Sequence, residues 1–386
     1  MAPLSMKWDN NPFFFFEYLG GYITLIRLLL LNEKGKPLNL VANMELKMKD
    51  PSKRACLEET ASIVMERFVS TSSLSGVTID KVITGLSQLE SNAYEVLSPL
   101  TFESLMAVYL KSSLINHSCN RNTRTVFSKW PNYRLTVLSS KDILKDEEIT
   151  ISYLGPFHTT MQRQKILKRG KCFDCLCERC SDPLELGSFS SGIKCVYCSK
   201  GYFLAQNPLK RDSEWTCTEC SSMIESEKAI LMDESLVNEL NKVNKNSIQN
   251  LEKFLKTYEP LLHPRHVFIL QIKQFLIEGM GRLEGYNYDK MDVNALSRKI
   301  SLCQDLLEAF KYIENPLSFI SGVVYLELTD TLYRKFLLTH DLSFKQSAKL
   351  KIVEALEILK YEDVMSTTDG TCLRRAIDIS NYLEIK

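Results

Sequence analysis

A chain of 386 residues with 45% hydrophobic and 25% charged residues is long enough for two or three domains, and its composition excludes disorder and fibre. Its 48 basic residues stand against 47 acidic ones, a formal charge of +1, so no global field would hold it on nucleic acid or an anionic membrane. Any such binding must be local.

Residues 1–18 read as an atypical N-terminus without cysteine. The apolar stretch from Phe13 to Leu31 is broken by Glu17, the Gly20-Gly21 pair and Arg27, and no small-residue cleavage site follows a basic start. It therefore reads as neither secretory signal nor membrane span, and a cytoplasmic or nuclear location is expected. Leu19, Ile23, Ile26 and Leu30 recur at helical spacing and predict a buried or half-buried helix.

Residues 19–110 read as a mainly helical segment, because RLLLLNEK and LEETASIVMERF place apolar residues three and four apart. The Ser-Gly punctuation of SSLSGV, residues 72–77, predicts a linker, and VTIDKVITGLSQLESNAYEVL predicts a helix up to Pro99. The period then changes. Between Ser113 and Tyr153, TRTVF, YRLTVLSS and EITISY are short β-branched and aromatic runs separated by turn-formers such as Trp130-Pro131-Asn132, which makes residues 111–182 a compact β core with its tail. TMQRQKILKRG predicts a short helix stopping at Gly170, with Arg163, Lys165, Lys168, Arg169 and Lys171 on a solvated face. Residues 227–386 predict an all-helical domain from long amphipathic stretches such as RHVFILQIKQFLIEGM, with paired helices resembling a tetratricopeptide array. That domain is expected to offer an interaction surface.

Eight of the twelve cysteines fall between Cys172 and Cys220. Crowding at ligand spacing points to metal rather than to disulfides. Cys195-x-x-Cys198 followed by Cys217-x-x-Cys220 lets two knuckles present four thiolates to one zinc ion, and GYFL and the approach to Trp215 predict the strands of a zinc ribbon over residues 183–226. Buried free thiols are the alternative, and they would have to recur two residues apart in both halves by coincidence. In Cys172-x-x-Cys175-x-Cys177-x-x-Cys180 the central spacing is too tight for two knuckles, so a distant ligand is expected. Cys119 in Asn116-His117-Ser118-Cys119 would complete a second site with Cys175, Cys177 and Cys180. Cys56, Cys303 and Cys372 read as small buried hydrophobes.

The segments SSLINHSC, EITISYLG and KCFDCLCERC resemble, in order and spacing, the C-terminal half of a SET domain and its post-SET zinc loop as found in SMYD proteins. SNAYEV, the ITLIRLLLL start and the LELGSFSSGIKCVYCSKGYFL ribbon are also similar to that family, the last to its arthropod branch. The resemblance implies an α+β fold: a β-rich SET core with a post-SET zinc loop, a zinc-ribbon-like insert and an all-helical C-terminal domain. It further implies a protein-lysine N-methyltransferase acting on histone or other protein lysines with S-adenosylmethionine. In that reading Asn116 and His117 line the cofactor pocket with Ser113 nearby, Phe173 stacks on the adenine and Tyr153 carries the catalytic hydroxyl. On residue type alone, Tyr153 would be an ordinary core tyrosine and His117 a satisfied buried imidazole or a ligand.

The chain also departs from the family pattern. Neither the first SET strands nor the MYND module is expected in it, Asn120-Arg121 stand where the family has Asp-Pro, and Lys171 stands where it has an aromatic residue. A cation at that position would oppose a channel that normally accepts an uncharged amine. A catalytically inactive, zinc-stabilised SET scaffold for protein interaction is therefore carried beside the enzyme reading. A nucleic-acid-binding ribbon is disfavoured by the balanced charge and by the few aromatics interleaved with basic residues.

Overall fold

The first helical lobe forms because its segments share one apolar face and two of them start on a capping side chain. In the computed structural model, which describes residues 19–70, 76–97, 104–128, 133–362 and 369–383, α1 spans Leu19–Glu33, α2 Met44–Lys49, α3 Pro51–Val64 and α4 Ile79–Asn92. The start at 1–18, most of the 72–77 linker, the expected helix end at Pro99 and the Trp130-Pro131-Asn132 turn lie outside the described residues. Asp50 caps α3 by accepting from the N–H groups of Ser52 and Lys53 at 2.9 and 3.1 Å, ahead of Pro51 at the first helical position. A π-helical turn, Met65–Val69, extends it. Val82, Ile83, Leu86 and Leu89 of α4 pack on Leu25, Leu28 and Leu29 of α1. The crossing is close at Gly85, where a Cβ would lie 2.8 Å from Leu25 Cδ1.

The helix expected to run to Pro99 stops earlier. Ala93–Leu97 is strand β1, paired antiparallel with β2, Ser104–Val108. Four further short strands make the core: β3, Asn116–His117; β4, Thr123–Phe127; β5, Leu135–Ser139; and β6, Thr150–Ile151. The β4 and β5 strands form an antiparallel hairpin. By contrast β3 and β6 are parallel, in the register Asn116 to Thr150 and His117 to Ile151.

Helix α5, Thr160–Lys171, begins with a capping box in which Thr159 Oγ1 accepts from Gln162 N at 3.4 Å and Gln162 Oε1 accepts from Thr159 N at 3.2 Å. It runs past Gly170, and Cys172 takes the left-handed position at φ 63°. One face of α5 is buried through Thr160, Arg163 and Leu167. Arg163 is therefore not on a solvated face but bonded to Glu185 at 2.8 Å inside the protein, a correction to the reading of the basic run. A short helix α6, Glu178–Ser181, follows.

The ribbon is a four-stranded antiparallel sheet of β7, Ile193–Lys194; β8, Tyr202–Ala205; β9, Trp215–Cys217; and β10, Met223–Ile224. Seven helices complete the chain: α7, Ser226–Lys242; α8, Ile248–Tyr258; α9, Val267–Gly279; α10, Val293–Ile313; α11, Phe319–Thr339; α12, Leu342–Leu359; and α13, Asp369–Tyr382. Helix α9 packs between α8 and α10, with Val267, Phe268, Ile269, Leu270, Ile272 and Leu276 all buried. Glu327 of α11 is buried among Lys299, Arg282 and Arg375; burial opposes its charge, but the three cations hold its carboxyl well below the ordinary range.

Core, ribbon and helical domain are tied by arginines and backbone. Arg121 pairs with Glu314, Arg124 donates to the carbonyls of Leu317 and Ile358, and Arg179 donates to Ile313 O at 2.9 Å. Lys194 N donates to Leu261 O at 2.8 Å, and His263 N to Gly192 O at 2.9 Å. No helix among the described residues is long and apolar enough to cross a membrane.

Candidate functional site

Two short parallel strands give the site its frame. Asn122, buried in the loop after β3, fixes β6 by accepting from Thr150 N at 2.9 Å and donating to Glu148 O at 2.9 Å. Thr123 Oγ1 donates to Thr150 O at 2.7 Å. The chain that leaves β6 carries Tyr153 back alongside residues 115–117. The Tyr153 hydroxyl donates to Ile115 O at 2.7 Å, and its backbone N–H donates to His117 Nδ1 at 2.9 Å.

That second bond sets the tautomer of His117. With Nδ1 accepting, the ring proton sits on Nε2, which faces Cys119 Sγ at 3.1 Å. Burial lowers the His117 pKa to about 4, so the imidazole is neutral, and both its nitrogens are engaged. Burial, with smaller contributions from Tyr94 and Glu148, pushes the Tyr153 phenol up to about 12, so the hydroxyl keeps its proton.

Cys119, Cys175, Cys177 and Cys180 come together as expected, with all four sulfurs within 4.8 Å of one another. The Cys119 sulfur lies 4.0 Å from that of Cys175 and 3.5 Å from that of Cys180. A tetrahedral zinc–thiolate site, with bonds of about 2.3 Å, separates its sulfurs by about 3.8 Å, so the set fits zinc. Cys172 stays out of the group and forms the end of α5. Arg163 lies within electrostatic reach; burial opposes its charge, while Glu185 and the sulfurs of Cys180 and Cys119 raise its pKa. Arg163 and the His117 N–H thus supply positive charge and a donor around sulfurs that carry negative charge when they bind metal.

Cys195, Cys198, Cys217 and Cys220 form the second group, again within 4.8 Å, with Cys195–Cys220 and Cys198–Cys217 sulfur pairs both at 3.7 Å. Gly201 N and Glu219 N each donate to a knuckle sulfur, Cys198 and Cys217, at 3.4 Å. Gly201 is needed there, because a Cβ would come within 2.6 Å of Cys217 Sγ and 2.9 Å of Glu219 N.

Of the residues expected at the cofactor, His117 and Phe173 gather with Tyr153. The His117 ring lies 5.1 Å from that of Tyr153 and 6.1 Å from that of Phe173, and Phe173 meets Tyr153 edge-on at 6.4 Å. Asn116 is exposed and its Nδ2 donates to Glu148 Oε1 at 2.6 Å, a partner the sequence reading did not include. Ser113 sits in the turn before β3, and its hydroxyl donates to Leu110 O at 3.1 Å.

Lys171 also reaches this place. Its Nζ lies 5.4 Å from the centroid of the Tyr153 ring and donates to Glu90 O and Ser91 O at 2.8 and 3.1 Å. Like Arg163, it leaves the expected solvated face. Arg163, Leu167 and Lys171 stand four apart, so the spacing that buries Leu167 turns both charges inward.

A parallel strand pair stands beside a four-sulfur group closed by the tail, and residues 29–154 match the SET domain. Among curated proteins, the SET domain-containing protein SmydA-8, isoform B, of Drosophila melanogaster is 24% identical over 225 residues, 57% of this chain and 50% of that protein. The histone-lysine N-methyltransferase ASHR1 of Arabidopsis thaliana is 23% identical over 366 residues, 88% of this chain and 75% of that protein. The histone-lysine N-methyltransferase SMYD3 of Homo sapiens is 35% identical over 89 residues, 23% of this chain and 20% of that protein. The chain thus spans about half the length of the SmydA-8 relative.

Proposed function

We propose that this chain is a protein-lysine N-methyltransferase that uses S-adenosylmethionine, with a lysine of a histone or another protein as acceptor. The observation that carries the reading is the fixing of Tyr153 by Ile115 O and His117 Nδ1, directly beside Asn116 and braced by the Cys119 thiol group. The relatives named as histone-lysine methyltransferases support the same chemistry.

The residues present fit such a cofactor. Glu148 and Asn116, both exposed and bonded to each other at 2.6 Å, offer oxygens to an ammonium group. His117 and Phe173, with ring centroids 6.1 Å apart, offer an apolar wall to an adenine. Bound S-adenosylmethionine would supply an electrophilic methyl group carried on a positive sulfur. Tyr153, protonated at neutral pH, would orient the acceptor amine through its hydroxyl, and the fixed strands hold that oxygen in place. Two zinc ions would hold the core and the ribbon. The helical domain would serve as the surface for protein partners, and the reduced thiols suit the cytoplasm or the nucleus.

Lys171 against the Tyr153 ring favours a second reading, in which the SET core persists as an interaction scaffold without turnover. Titrating S-adenosylmethionine by calorimetry, followed by transfer of a labelled methyl group to core histones with Tyr153→Phe as control, separates the two. A saturable heat and transfer lost in Tyr153→Phe are expected. No heat at millimolar cofactor would leave only the scaffold.

A further inference from the structure

Three ammonium groups converge on the last turn of α4. Lys47, fully buried, donates to Ser87 O at 2.8 Å and to Ser91 Oγ at 3.0 Å and pairs with Glu90 at 3.1 Å. Lys53 pairs with Glu90 as well. Lys171 takes the carbonyls of Glu90 and Ser91. Among the described residues, Glu90 is the one carboxylate ion-paired with this group, so the turn carries more positive than negative charge. The carbonyl end of a helix holds cations well, and two hydrogen bonds fix the Lys171 amine rather than leaving it to swing in solvent.

The fixed amine faces Tyr153, 5.4 Å from its ring centroid. A second ammonium reaching the same ring would meet an existing positive charge in a half-buried place, where screening is weak. A sulfonium placed to deliver a methyl group near the Tyr153 hydroxyl would lie within one Debye length, about 10 Å, of the same charge. Burial lowers Lys171 to about 8, which still leaves it mostly charged at neutral pH.

We infer that Lys171 is a specificity-determining residue, a tethered cation against the Tyr153 ring that excludes a second ammonium there and favours the neutral thioether S-adenosylhomocysteine over the sulfonium S-adenosylmethionine. This rests on the reading above in which the cofactor lies beside Tyr153.

The test compares calorimetric affinities of the full chain for the two compounds. The wild-type protein binds S-adenosylhomocysteine tenfold or more tightly than S-adenosylmethionine. Lys171→Met and Lys171→Gln each bring the ratio to within about threefold, mainly by tightening S-adenosylmethionine, while Lys171→Arg keeps it. A wild-type ratio near one, or a ratio unmoved in a folded neutral variant, overturns the inference and leaves the cofactor reading intact. Failure of both compounds to bind the wild-type protein and every folded variant overturns the cofactor reading and the inference with it. Because the wild-type ratio needs no substitution, a variant that did not fold would not protect the idea.

Discussion

The backbone N–H of Tyr153 points at Nδ1 of His117, 2.9 Å away, and through that one bond the candidate reacting residue reads the state of the metal-type site. His117 Nε2 in turn faces Cys119 Sγ at 3.1 Å, so the ring is a bridge between strand and sulfur. Replacing it by Ala removes an outer donor to the thiolate. Such losses lower metal affinity about 10- to 100-fold. Competition with a chromophoric zinc chelator should show this for His117→Ala at the first site, with the ribbon site unchanged. Equal affinities in wild type and variant would remove His117 from that role.

Zinc content should follow each cysteine set separately. Gly201→Ala pushes a Cβ to within 2.6 Å of Cys217 Sγ, and the knuckle has no room to give because Glu219 N is 2.9 Å from the same point. Elemental analysis should fall from about two zinc ions per chain to about one, since structural zinc contributes about 10–16 kcal/mol only where the ligands can close on it. Cys119→Ser should remove the other ion and leave the ribbon loaded.

The Arg163–Glu185 pair is completely enclosed, with side chains 3% and 2% exposed. Arg163→Met leaves the buried Glu185 carboxylate with only the Ser191 hydroxyl and the charge of Arg179 and should cost about 3–5 kcal/mol in urea unfolding. Arg163→Met combined with Glu185→Gln should recover part of that loss. If the double variant is as unstable as the sum of the two single ones, packing rather than charge decides the cost.

Stability should fall in mild acid. His266 starts α9 with Nδ1 accepting from Phe268 N at 3.3 Å, and burial lowers its pKa from 6.5 to about 3. In the unfolded chain the imidazole takes its proton near pH 6.5, before the folded one can, so the unfolded state binds more protons between the two values. The contribution is whole above pH 6.5 and is lost as pH falls toward 3. His263, lowered by burial to about 4, adds in the same direction. Unfolding midpoints from pH 7.5 to 4.5 should drop more steeply for wild type than for His266→Asn. Parallel curves would assign the acid sensitivity elsewhere.

Local chemistry was the most readable part of this chain. The ribbon's sulfur set follows from ligand spacing alone; the other does not, because the tail itself offers four thiols, and only the tight step from Cys175 to Cys177 points to a distant ligand such as Cys119. Strand β1 was not readable. Ala93 continues the three- and four-residue spacing of α4 from Leu86 and Leu89, so a strand of five residues cannot be told from one more helical turn, and only pairing with β2 decides it. Arg163 and Lys171 were misplaced for a different reason: residue type suggested solvent, while their four-residue step with Leu167 pointed to the interior. Glu148 and Glu90 carry no pattern of their own and acquire a role only from what the fold sets beside them.

The two cysteine groups differ in the span of chain each must gather. Cys195 and Cys220 are 25 positions apart, whereas Cys119 and Cys180 are separated by 61, with a hairpin and a helix between them. Closing the longer span costs more chain entropy, and it cannot begin during synthesis until the whole tail has left the ribosome. During synthesis Cys119 stands with its strands unsealed through 61 further residues until Cys180 arrives, whereas the ribbon, which emerges afterwards, gathers its sulfurs within a span of 25.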